Sequence, residues 1–183
     1  MDIQIFWDRG SPKGLEIPVA RMISQILDIP VQIYDSPLLY NGYTVSRQQF
    51  DASVILSCID TYKRRNVIES PVLLVICEDI FHAASRYVFG LARPRTGSSV
   101  VSTTRLRNEY WDLPADETLL CDRIITEGAH ELGHILGLHH CQDQRCIMYN
   151  PRCLDDLNNK NLFLCDPCRN NLQVGNERLI KRV

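Results

Sequence analysis

Five consecutive residues, His130-Glu131-Leu132-Gly133-His134, combine two imidazoles and a carboxylate at a spacing that suits metal-assisted hydrolysis. On a helix, residues four apart lie on one face, a turn apart. Both rings can then reach one ion at about 2.0–2.1 Å, the usual separation of zinc from an imidazole nitrogen. Glu131 adjoins the first ring and does not share its seat, so it is free to contact a water on the metal as general base. A catalytic zinc takes a third protein ligand and keeps one position open. Gly137 bends the chain and His140 arrives three residues later, completing His-Glu-x-x-His-x-x-Gly-x-x-His. His139 competes for that third seat; the spacing favours His140 and leaves His139 as a surface histidine beside the site. Glu127 either supports a ligand from behind or simply lines the cleft. Gly133 either permits close approach to the helix or is a small residue with some cost in helix propensity.

Eight cysteines form a second pattern, and five of them crowd into Cys141–Cys168. Cys141 and Cys146 make one pair; Cys165 and Cys168, in Cys-Asp-Pro-Cys, make another. Four thiolates at about 2.3 Å would close a tetrahedron around zinc and leave no seat for water, so this site reads as structural. Two disulfides or free thiols are the alternatives, and the absence of secretory features favours the metal. Cys153 belongs to neither pair. Cys58, Cys77 and Cys121 lie in apolar segments and read as core thiols. Met148 has packing as its default role. Tyr149 begins a Tyr-Asn-Pro turn and either packs against it or donates to a developing oxyanion.

The elements that must position these groups are legible upstream. Residues 3–7 and 31–34 read as strands. Residues 15–28 and 47–63 carry apolar residues at helical spacing. The run 72–77 is apolar on both faces, as a central strand is. Residues 86–92 read as an irregular edge strand bent at Gly90, and 98–102 as a further strand. Residues 116–136 form the longest helical stretch, with Asp116 as cap and Gly137 as stop. The alternation implies an α/β (α+β) architecture with a mainly parallel sheet and one antiparallel edge strand. After Gly137 the periodicity weakens and Cys, Asn, Asp and Pro take over. The boundary therefore falls between residues 1–137, ending in the motif helix, and 138–183, two lobes of one catalytic domain. Residues 169–183 read as a polar tail with at most one short helix.

The chain has 183 residues, 45% of them apolar, a net charge of −2 and a pI of about 6.2. That suits a single domain with a real core. The balance argues against a nucleic-acid partner or a membrane surface, which call for a basic face. No apolar run reaches the length of a membrane span, and the start lacks the features of a secretory signal. A cytoplasmic monomer is the expectation.

The block His130-Glu131-x-x-His134-x-x-Gly137-x-x-His140-Cys141, then Cys146-x-Met148, then Cys165-x-x-Cys168, resembles the archaemetzincins, a family of the metzincin zinc peptidases. The resemblance implies a two-lobed zincin fold: a mixed twisted sheet with backing helices and an active-site helix, then a small irregular C-terminal lobe held by zinc. It implies a methionine turn at Met148 beneath a catalytic zinc, and a second zinc on Cys141, Cys146, Cys165 and Cys168. Two zinc ions per chain are thus expected, one catalytic and one structural. The expected activity is hydrolysis of peptides or proteins by a zinc-bound water with Glu131 as general base. The rival readings are a weakly active or non-catalytic zinc scaffold and a nucleic-acid-binding zinc module.

Overall fold

The computed structural model describes residues 2–172. Its centre is a five-stranded sheet in the order β2-β1-β5-β8-β7. The strands are β1 (Ile3–Trp7), β2 (Val31–Asp35), β5 (Val72–Ile76), β7 (Gly90–Arg93) and β8 (Ser98–Ser102). β2, β1, β5 and β8 run parallel, and β7 pairs antiparallel to β8 at the edge. The expected mainly parallel sheet with one antiparallel edge is therefore present.

Side-chain alternation explains the layering. In β5, Leu73 and Val75 join one core cluster, with α1 (Glu16–Leu27) and α3 (Glu117–Ile135). Val72, Leu74 and Ile76 join a second cluster, on the side of α2 (Ala52–Arg65). All five β5 residues are 0% exposed, which is why that segment shows no polar face in the sequence. Burial of this kind contributes roughly 1.5–3 kcal/mol per large aliphatic side chain.

α3 has the expected limits. The Asp116 carboxylate accepts from the Leu119 N–H at 2.9 Å, a cap worth about 1 kcal/mol. Gly137 has φ +91°, a conformation that costs a side chain dearly and turns the chain out of the helix.

Three readings need correction. The expected helix 47–63 is a strand followed by a helix: β4 (Gln49–Asp51) precedes α2. β4 pairs with β3 (Tyr43–Thr44) and β6 (Ile80–Phe81) in a small second sheet. That pairing outcompetes helical continuation, and Asp51 caps α2 by accepting from Ser53 N–H at 2.8 Å. The edge strand begins at Gly90, not at Arg86; residues 86–89 lead into it without a ladder of their own. Cys58, Cys77 and Cys121 are only partly buried, so none is a fully enclosed core thiol, although Cys121 packs against the main cluster. Apolar neighbours in the sequence do not by themselves enclose a side chain.

Beyond Gly137 regular structure is sparse: α4 (Leu154–Asn158), then a helical segment over 166–172. Leu138, Ile147, Met148, Leu157, Leu164 and Leu172 nevertheless belong to the same core cluster as α3. The segment packs on the first part of the chain and builds no separate core. The rest of the tail, 173–183, lies outside the described residues.

Candidate metal centres and catalytic cleft

The C-terminal half of α3 presents His130 and His134 one turn apart. Their ring centroids lie 4.6 Å from each other, and 5.4 and 4.8 Å from the ring of His140. One ring nitrogen from each of the three lies within 4.8 Å of the others. His139 is exposed and stands outside this group.

Hydrogen bonds fix the tautomers. His130 Nδ1 lies 2.8 Å from the Ile147 carbonyl, and His134 Nδ1 2.9 Å from the Leu138 carbonyl. A carbonyl only accepts, so each Nδ1 carries the proton and each Nε2 a lone pair. The two Nε2 atoms are 3.1 Å apart. Two lone pairs at that range repel unless a cation lies between them. Nitrogens on a tetrahedral zinc stand roughly 3.3 Å apart, given zinc–nitrogen distances of about 2.05 Å. The donor set therefore fits zinc. Burial, with Lys160 next, holds the His130 imidazole well below its usual pKa. Burial first also lowers His134 and His140. Neutral rings are the form that binds a metal.

Glu131, 5% exposed, lies beside these rings and lines the same cleft of about 630 Å³. Burial raises its pKa well above the usual carboxylate value, and the neighbouring Glu127 carboxyl adds to the rise. Glu127 stands one helical turn before Glu131 on α3, close enough for each carboxyl to alter the other's proton affinity. Glu127 also lines the cleft, and its Oε2 is buried with no donor among the described residues. The expected support or lining role thus becomes a place beside Glu131.

The cleft runs along the outer edge of the sheet. Residues 85–92 line one wall, and Asn150, Pro151 and Arg152 contribute to the other side. Gly90 opens β7 towards the glutamate: a Cβ there would lie 2.8 Å from Glu131 Cγ and 2.9 Å from Oε1. Tyr149 is half-buried and does not line the cleft; its N–H donates to Cys146 at 3.0 Å.

Met148 is 0% exposed and sits against α3 between the two helical histidines, at Gly133. The Cys141 N–H donates to the Met148 carbonyl at 2.8 Å, which closes the loop that carries it.

The sulfurs of Cys141, Cys146, Cys165 and Cys168 also lie within 4.8 Å of one another. Cys141 and Cys165 are 3.6 Å apart, near the roughly 3.8 Å expected of two sulfurs on a tetrahedral zinc. None of the four is joined in a disulfide in this structure, and their sulfurs converge as ligands of one ion would. Backbone N–H groups of Asp143 and Cys165 donate to Cys141 and Cys146 sulfurs at 3.4 Å each, as suits thiolates. Cys153 is exposed and outside the cluster.

Sequence reasoning missed Lys160. It lies in a polar stretch after α4 with no periodicity or motif around it, and its burial becomes visible only once the chain folds back over α3.

Comparison with known proteins agrees with this geometry. Residues 42–174 match the profile of Peptidase family M54. Archaemetzincin from Thermococcus kodakarensis is 33% identical over 135 residues, 74% of this chain and 72% of the relative. Archaemetzincin from Methanocaldococcus jannaschii is 33% identical over 147 residues, 80% of this chain and 74% of the relative. A zinc-dependent peptidase from Methanocorpusculum labreanum superposes with TM-score 0.89 at 38% identity, over 93% of this chain and 99% of that one. The crystal structure of archaemetzincin from Methanopyrus kandleri superposes with TM-score 0.81 at 26% identity, over 96% of each chain. The family profile covers most of the chain and the fold agrees with it, so this chain belongs to peptidase family M54, the archaemetzincins, and is a zinc metallopeptidase.

Proposed function

We propose that the chain hydrolyses peptide bonds in the cleft beside α3, with His130, His134 and His140 holding the catalytic zinc and Glu131 acting as general base. The observation that carries this reading is the convergence of three imidazole nitrogens next to a buried carboxyl in a cleft. When bound, zinc supplies Lewis-acid polarisation of the scissile carbonyl and acidification of water.

Glu131 takes a proton from the attacking water on a carboxylate oxygen and returns it to the departing amine nitrogen. The Ile147 and Leu138 carbonyls keep the His130 and His134 rings oriented, with their Nε2 lone pairs facing the site. β7 pairs with β8 along one side only, and its outer edge can align an extended peptide through backbone hydrogen bonds. Met148 closes the floor beneath the histidines as the methionine turn.

In the same reading, Cys141, Cys146, Cys165 and Cys168 hold a second, structural zinc. Residues 1–137 and 138–183 are then two lobes of one catalytic domain, the second pinned by that ion. A reducing cytoplasm would keep the four thiols available for metal. The near-neutral charge suits a monomer without nucleic-acid or membrane partners.

The test is Glu131→Gln with a mixture of quenched fluorescent peptides. Hydrolysis should fall at least about a hundredfold, in the range reported for loss of a general base, with zinc content unchanged. Wild-type turnover in that variant would defeat the mechanism.

A further inference from the structure

Lys160 is 8% exposed, although lysine normally carries its ammonium to water. A lysine this deeply enclosed keeps its charge only against partners. One partner is the Ile147 carbonyl, 2.9 Å from Nζ. That same oxygen accepts the Nδ1–H of His130 at 2.8 Å, so both of its lone pairs are engaged. Burial lowers the Lys160 pKa, and the charges of the nearby Glu127 and Glu131 oppose that fall without forming an ion pair with Nζ. Glu127 Oε2, with no donor of its own, marks where a charge partner is needed.

A carboxyl pair in a buried cleft repels itself and is poorly solvated. Lys160 is the cation whose charge lowers the proton affinity of both members. Ile147 in turn directly precedes Met148. A single ammonium thus touches the carbonyl that orients His130 and counters the charge of the pair containing Glu131.

We propose that Lys160 is a positioning residue of the active site: its ammonium anchors the Ile147 carbonyl that orients the His130 ring, and its charge offsets that of the nearby Glu127–Glu131 pair. The proposal rests on the assignment of Glu131 as general base. The Ile147 carbonyl is the intermediate contact, and the aliphatic stem of Lys160 fills space that a methionine would fill about equally well.

The experiment compares Lys160→Met, Lys160→Arg, Glu127→Gln and Lys160→Met/Glu127→Gln. On quenched fluorescent peptides, Lys160→Met should lower kcat at least tenfold with KM within about twofold and zinc content unchanged. Lys160→Arg, which retains the charge, should recover part of the loss. Independently of turnover, Lys160→Met should lower the urea midpoint, and adding Glu127→Gln should restore part of it, because an uncompensated buried charge is removed. Should Lys160→Met not fold, Lys160→Gln serves in the same cycle. Wild-type kcat in Lys160→Met, or no restoration by Glu127→Gln, would overturn the proposal. If the wild type itself cleaved no peptide, the assignment of Glu131 would fail, whereas the midpoint cycle would still decide whether Lys160 serves the pair.

Discussion

A Cβ on Gly133 would stand 2.5 Å from the sulfur of Met148. The methionine occupies the volume that any larger residue at position 133 would need, on the helical turn bounded by His130 and His134. The glycine inside the motif therefore has a packing reason: it lets the loop after Gly137 press against the helix that carries the imidazoles.

Gly133→Ala should lower stability by about 1–3 kcal/mol, the usual cost of overpacking a closed core. Chemical denaturation would measure it. Met148→Ala alone should cost roughly 2–5 kcal/mol as a cavity mutation. The double variant should be more stable than the sum of the two losses implies, because Met148→Ala makes room for the added methyl, which in turn fills part of the cavity. Strict additivity would show that the two residues do not press on one another.

His134→Ala should reduce zinc per chain by one equivalent and abolish peptide hydrolysis while leaving a cooperative unfolding transition. Elemental analysis of untagged protein beside the wild type would check it. Unchanged zinc would mean that the histidine site is not the one filled.

Gly90→Ala should lower hydrolysis about tenfold or more without loss of zinc. The added methyl would collide with Glu131 Cγ and Oε1 and lie 3.0 Å from the Val100 carbonyl, so the glutamate must leave its place. Misplacement of a reacting group by about 1 Å can cost two orders of magnitude. Wild-type kcat would show that Glu131 tolerates displacement.

Cys165→Ser should destabilise the chain by several kcal/mol, since metal binding at a closed thiolate site is also folding energy. Limited proteolysis should then cut within residues 138–172 before it reaches α3. Equal protease resistance in variant and wild type would contradict a structural ion there.

Much of this arrangement was readable in the residue order. Helical spacing put His130 and His134 on one face, Asp116 and Gly137 bounded the helix, and the unbroken apolar run at Val72 announced the central strand. Each of these signals is local. What stayed hidden depended on distant pairing or on enclosure from outside. Gln49–Asp51 looked helical because the partners that make it a strand lie at Tyr43 and Ile80. Cys77 sat in an apolar run, but it falls just past the end of β5 and is only partly buried. Lys160 carried no pattern because its burial comes from α3, which precedes it by 25 or more residues in the chain. Glu127 lies four residues before Glu131, so helical spacing alone sets the two carboxyls side by side; only their burial required the folded cleft.

His140 and Cys141 are consecutive, and on the proposed ligand sets they belong to different ions. A single peptide bond then joins two coordination spheres. Filling the thiol site would fix the direction in which His140 points and so lower the entropy lost when the histidine site fills. Maturation of the enzyme would acquire an order, structural ion first and catalytic ion second. Oxidation of the cysteines would disarm the peptidase without touching any atom in its cleft.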